Sequence, residues 1–239
     1  AKILYAEAKE NHKDSQWHRW YKCSLCEQRY HGVVKCALGW GCWKTYVGRP
    51  ETDKSRRFAM TELANGLGMA GRHEEELSVR EAELSTLRRI GTSEEDVLIM
   101  QNNIAITYHR LGRKEEATSM YRQVYSAFVK LHGEDHPRSL NAANNYAVSL
   151  TGLLRFEEAK SLLRSTIPVA RRVLGENDEL TLMMRMTYAE ALYEDEGVTL
   201  GDLREAVKTL EDVERVARRV LGGENPTTVR IEVSLRDAR

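Results

Sequence analysis

The sequence has no run near the roughly 20 consecutive apolar residues that a membrane-spanning helix needs. Its first residues also lack the basic-then-apolar order of a secretory leader. The expectation is a soluble, cytoplasmic protein. Neither sign of charge is in excess, since Lys plus Arg and Asp plus Glu each total 36. No field over the whole molecule draws it toward a phosphate backbone or an anionic bilayer, so nucleic acid is disfavoured as a partner. Proline occurs only four times and aromatics make up 7%, leaving few helix breakers. No phosphate-binding glycine loop, nucleophile elbow or His-Glu metal helix is present. The chain therefore reads as a binding protein and not an enzyme.

Ala, Leu, Glu and Arg dominate, a composition that favours helix. Basic-apolar-Gly segments recur around Gly91, Gly133, Gly175 and Gly222, spaced 42, 42 and 47 residues apart, with Gly48 a further 43 before Gly91. A second marker falls mid-unit: Gly71-Arg72-His73-Glu74-Glu75, Gly112-Arg113-Lys114-Glu115-Glu116 and Leu154-Arg155-Phe156-Glu157-Glu158. Between markers apolar residues follow helical spacing, as in Ile104, Tyr108 and Leu111 and then Ala117, Tyr121, Val124 and Phe128. Each unit therefore predicts two helices. Glycine with Arg or Lys before it suits a helix C-terminus, and Ser93 with Asp96 suits the next N-terminus. Ala64, Ala105, Ala147 and Ala189 hold equivalent places where two helices cross closely.

Asn102-Asn103-Ile104-Ala105-Ile106-Thr107-Tyr108 with Gly112, Glu115, Glu116 and Ala117 resembles the tetratricopeptide repeat, as does Asn144-Asn145-Tyr146-Ala147 with Glu157, Glu158 and Ala159. The period of about 42 residues and the Leu131–Pro137 junction are similar to those of kinesin light chains. The resemblance covers residues 54–239. It implies an all-α solenoid of helical hairpins, coiled as a right-handed superhelix whose concave face is lined by first helices. The units fall at 49–91, 92–133, 134–175 and 176–222, with a terminal capping helix at 223–239. Residues 1–48 form a Cys/His/Trp-rich segment ending in a half-repeat cap.

Departures from the pattern carry their own expectations. Glu76 stands where later units have Ala117 and Ala159, so the first hairpin should pack less tightly or release that carboxylate to solvent. Pro168 should bend its helix near Arg164. About five extra residues near 195–202 predict a longer turn.

All four cysteines lie between Cys23 and Cys42. Cys23, Cys26, His31 and Cys36 have a spacing compatible with a structural zinc site, with Cys42 as an alternative ligand and His18 as a further candidate. The spacing is similar to that of a retroviral-type zinc knuckle, which binds single-stranded nucleic acid, although Tyr30 rather than Gly precedes the histidine; the alternative function it implies is a zinc-dependent nucleic-acid or regulatory module. In the competing reading residues 33–47 form a helix whose Cys36, Trp40 and Trp43 share one apolar face. Residues 2–9 fit a short helix.

The groove implied by the resemblance would present Asn102, Asn103, Ile106 and His109, then Asn141, Asn144, Asn145 and Val148, then Thr187 and Glu190. Its partner would be a peptide segment or helix of another protein, with Asn103 and Asn145 bonding to its backbone. The alternative is that these amides only bond between neighbouring helices. Asn102, Asn144 and Met186 stand where a carboxylate clamp wants cations, so a chaperone-tail clamp is not expected. His132 to His136 matches an interhelical junction and reads as a cap. The chain opens at Ala1, not Met, which leaves room for a longer protein of which this would be the partner-binding arm. Self-association is left open.

Overall fold

The computed structural model describes residues 14–23 and 25–239; the short helix expected at 2–9 lies outside them. A 3₁₀ turn, Asp14–Trp20, precedes ten α-helices. These are α1 (Gly32–Tyr46), α2 (Lys54–Met69), α3 (His73–Arg89), α4 (Glu94–Arg110), α5 (Lys114–His132), α6 (Pro137–Gly152), α7 (Phe156–Val173), α8 (Glu179–Tyr193), α9 (Leu200–Val220) and α10 (Pro226–Ala238). Among the described residues, extended pairing is confined to one isolated antiparallel bridge, Lys22 with Arg29. The chain divides into two compact units at Arg113 and Lys114.

The helix ends follow the sequence punctuation. Asp53, Ser93, His136, Asp178, Thr199 and Asn225 each accept a backbone N–H at a helix start, satisfying donors that the helix itself leaves unpaired. The reciprocal capping box is made by Thr199 with Asp202, whereas Ser93 accepts from the Asp96 amide. His136 caps α6 through Nδ1, 3.2 Å from the Arg138 amide, in agreement with a capping role. Glycines at 71, 91, 112, 133, 175 and 222 have positive φ, the left-handed conformation that ends helices. Gly48 does not share it, and α1 ends on Val47 in the right-handed region. In the third marker the equivalent place falls to Leu154, at φ 59.

In the first unit, α1 crosses α2 at backbone contact. A Cβ on Gly39 would lie 2.7 Å from the Glu62 carbonyl oxygen, and one on Gly66 would lie 2.8 Å from that of Lys35. Trp20, Leu38, Cys42, Tyr46 and Ala59 form the adjoining core, with Trp17 tilted over Tyr46 at 4.8 Å and edge-on at 4.5 Å to Phe58. Helix α3 packs on α2, and α4 on α3.

Glu76 corrects the expectation of a loose hairpin or of a carboxylate released to solvent. It is fully buried and held by Arg80 at 2.8 Å, His73 at 3.2 Å and Arg110 at 3.3 Å. The space comes from Gly68, where a Cβ would stand 2.5 Å from Glu76 Oε2.

In the second unit each helix packs on the next from α5 to α10, and first helices also meet, α6 with α8 and α8 with α10. Leu140, Leu163, Leu182, Met184, Met186, Leu210 and Ile231 fill its core. Pro168 sits inside an unbroken α7. Residues 194–199 make the longer turn between α8 and α9, tied down by Lys160 on Asp195 at 2.9 Å. The four alanines marking close crossings, Ala64, Ala105, Ala147 and Ala189, are all fully buried.

Candidate functional site

The first unit contains a cavity of about 620 Å³. Phe58, Glu62, Asn65 and Met69 line it from α2, and Asn103, Ile106 and Arg110 from α4. Tyr21, Arg29, Tyr30 and His31 close one side, with Lys35 of α1 and Arg80 of α3 completing the wall. The alanine marker explains the alignment: Ala64 follows Glu62 by two residues and precedes Asn65, as Ala105 follows Asn103 and precedes Ile106. Residues on one helical stripe are thus repeated in the next first helix.

The charges around the cavity are tied into networks. Lys35 forms a buried ion pair with Glu62, donates to the Trp20 carbonyl at 3.3 Å and lies 5.8 Å from the Tyr21 ring. Arg80 reaches Glu76 through Nε at 3.0 Å and Nη2 at 2.8 Å, and Nη2 also donates to Asn65 Oδ1 at 3.1 Å. Burial raises the Glu76 carboxyl, but hydrogen bonds and charge from Arg80, with His73 and Arg110, outweigh it and hold the group below its usual range. Two turns farther along α3, Glu83 behaves oppositely. Burial pushes it up to about 7, against a hydrogen bond from Thr61 at 2.5 Å and the charges of Arg80 and Arg57.

Asn103 and Ile106 line this cavity, whereas Asn102 and His109 of the same helix do not. In the second unit the expected row is only partly accessible. Asn141 is exposed and Asn145 and Val148 are half-buried, and Asn145 Nδ2 donates to Asn141 Oδ1 at 3.4 Å. That bond lies within α6, not between helices. Asn144, at 1% exposure, and the fully buried Thr187 are corrections. Both belong to first helices covered by several neighbours, which leave a narrower free stripe than a two-helix contact would. Glu190 accepts from Ser234 at 2.7 Å and pairs with Arg230 at 3.5 Å, so it is engaged by α10.

Lys35, Glu62, Arg80 and Arg110 escaped the sequence reading. The available signal was Glu62 itself, at the place that Asn103 and Asn145 take in later units.

Of the cysteines, Cys23 and Cys26 share one tight turn, in which the Cys23 amide donates to the Gln28 carbonyl at 2.8 Å and the Glu27 amide to the Cys23 carbonyl at 3.0 Å. Backbone N–H groups of Cys26 and Leu25 point at the Cys23 sulfur and lower its thiol to about 7. Cys36 is buried beside Leu63 and Leu67, and fully buried Cys42 is raised by desolvation. His31 is the residue before α1 and makes no side-chain cap. Among the described residues no three His, Cys, Asp or Glu side chains converge as metal ligands. Cys23 and Cys26 are brought together; His31 and Cys36 are not brought to them. The helix of the competing reading is present, but Trp40 departs from its apolar face and is exposed.

Residues 96–172 match the tetratricopeptide repeat family model. The fold is that of tetratricopeptide repeats. No curated protein matches the chain in sequence. Among solved structures, BtubC (BKLC) from P. vanneervenii superposes with a TM-score of 0.69 at 15% identity, covering 85% of this chain and 81% of that one. Kinesin-light-chain TPR-like repeats from Podosopora anserina give 0.60 at 22% identity over 79% and 85%. A Rap protein complexed with Competence and Sporulation Factor gives 0.57 at 15% over 86% of this chain and 58% of that one. The tetratricopeptide hairpins are kinesin-light-chain-like in fold. Among the described residues no helix is long and apolar enough to cross a membrane.

Proposed function

We propose that this chain is a protein-interaction scaffold that holds an extended peptide segment of a partner, with the cavity of the first unit as its principal contact. The observation that carries the reading is the pair of amides, Asn65 and Asn103, placed by successive first helices on one cavity beside Ile106 and Phe58. Amide side chains both donate and accept, so they can bond to the backbone of a strand laid across them, while the apolar neighbours select side chains. The structural likeness to a Rap protein complexed with Competence and Sporulation Factor supports the reading. The role is binding, not catalysis, in a cytoplasmic setting.

Affinity capture with wild type and with Asn65→Ala/Asn103→Ala tests it. Loss of the captured partner at unchanged helicity is the expected result, and full retention rejects the cavity. Asn145 is a weaker contact than Asn103, because it already bonds within its own helix.

A second reading is a zinc-dependent nucleic-acid or regulatory module, supported by the adjacent free thiols of Cys23 and Cys26. Metal analysis of the purified protein decides it. About one equivalent of zinc, with both thiols protected from alkylation, supports the module, and less than about half an equivalent removes it.

A further inference from the structure

Arg80 is 5% exposed and lines the first unit's cavity. Its Nε and Nη2 are engaged by Glu76 and Asn65. Its Nη1 is buried and has no hydrogen-bond partner among the described residues. Buried polar donors are nearly always satisfied, so Arg80, a cavity-lining residue, keeps one unmet N–H that a small turn of its guanidinium would offer to an acceptor in the cavity.

The surrounding charge indicates what kind. Arg29, Lys35, Arg80 and Arg110 all line the cavity. Two carboxylates answer them: Glu62, paired with Lys35, and Glu76, beneath Arg80 and Arg110. The local balance is an excess of two positive charges in a protein whose overall balance is zero. A carboxylate ligand would cancel one of them. A phosphoryl group carries about −1.5 to −2 at neutral pH and offers three acceptor oxygens. Donors for those oxygens come from separate elements: Arg80 of α3, Arg110 of α4 and Arg29 before α1. Tyr21, Tyr30 and Phe58 supply flat apolar wall beside them.

We infer that the first unit's cavity is a phosphoryl-binding site, which takes a phosphorylated side chain of the partner peptide. This rests on the peptide-binding reading and adds a chemical requirement to it. Modification of the partner would then switch capture on, because the cavity's excess positive charge repels other cations and is only half answered by an unmodified acidic residue.

The test is calorimetric titration of the whole chain with phenyl phosphate, and with benzoate as the carboxylate of similar shape. Phenyl phosphate should bind about tenfold or more tightly than benzoate and weaken steeply with added salt, as charge-assisted bonds do. Arg80→Lys, which keeps the charge and loses the fork, should weaken phenyl phosphate by about tenfold. Arg29→Ala, at an exposed position where folding is not at risk, should weaken it severalfold. Benzoate binding as tightly as phenyl phosphate, no saturation in either titration, or phenyl phosphate affinity unchanged in both variants overturns the inference. Should phosphate binding fail while Asn65 and Asn103 remain necessary for capture, the peptide reading stands and the phosphoryl requirement falls. Should capture also be indifferent to those amides, both fall.

Discussion

Gly68 and Glu76 fit each other. A Cβ on Gly68 of α2 would lie 2.5 Å from Glu76 Oε2 and 2.7 Å from its Cδ, so the missing side chain is what lets a charged carboxylate occupy an interhelical position that later hairpins give to alanine. Gly68→Ala should destabilise the fold by about 1–3 kcal/mol through overpacking. Glu76→Ala leaves Arg80 buried without its counter-charge and should cost about 3–5 kcal/mol. The two should couple, the double variant losing less than the sum of the singles. Urea denaturation of the four proteins measures this.

Glu83 makes stability depend on pH. Its folded value of about 7 lies above the ordinary 4.5, so between those values the folded state keeps a proton that the unfolded state releases. Stability therefore falls as pH rises from about 4.5 to 7, by up to about 3 kcal/mol for this group alone. Glu76, held low, works in the opposite sense: its contribution is present above the ordinary value and is lost as pH falls through the depressed one. Glu83→Gln keeps an acceptor for Thr61 and should flatten the decline between about pH 4.5 and 7. An unchanged slope in that variant would assign the decline elsewhere.

Leu154 occupies the left-handed region, at φ 59, where Gly71 and Gly112 stand in the preceding units, and it is 72% exposed. A side chain there costs roughly 1–2 kcal/mol, partly offset in glycine by greater freedom when unfolded. Leu154→Gly should raise stability by up to about 1 kcal/mol, seen as a higher thermal midpoint.

Much of this fold could be read in the amino-acid order because its determinants are local. Gly133 and Gly175 stop helices by their own backbone freedom, His136 and Ser93 start them, and small Ala105 marks a crossing that any larger residue would block. The place of Asn103 on the cavity wall is legible for the same reason, since its position relative to Ala105 is set by helical periodicity. Asn144 and Thr187 were misread because burial depends on how many neighbours a helix has, and α6 and α8 are each covered by several. Lys35 and Arg80 could not be found by periodicity. Lys35 meets Glu62 only where Gly39 and Gly66 let α1 and α2 touch, a contact between residues far apart in sequence.

The four thiols should separate by reactivity. With Cys23 lowered to about 7 by N–H groups of Cys26 and Leu25, a large share is thiolate at neutral pH and open to iodoacetamide. Cys42 is fully buried and its thiol raised. Timed alkylation read by mass spectrometry should label Cys23 first and Cys42 last, the latter only on unfolding. Early labelling of Cys42 would contradict the packing of α1 against α2.

Hydrogen exchange of the chain with and without its captured partner tests peptide binding in the first unit most directly. Added protection should fall on α2 and α4, around Asn65, Asn103 and Ile106, and on the segment from Tyr21 to His31. Protection confined to the second unit, or none in α2 and α4, would contradict the account.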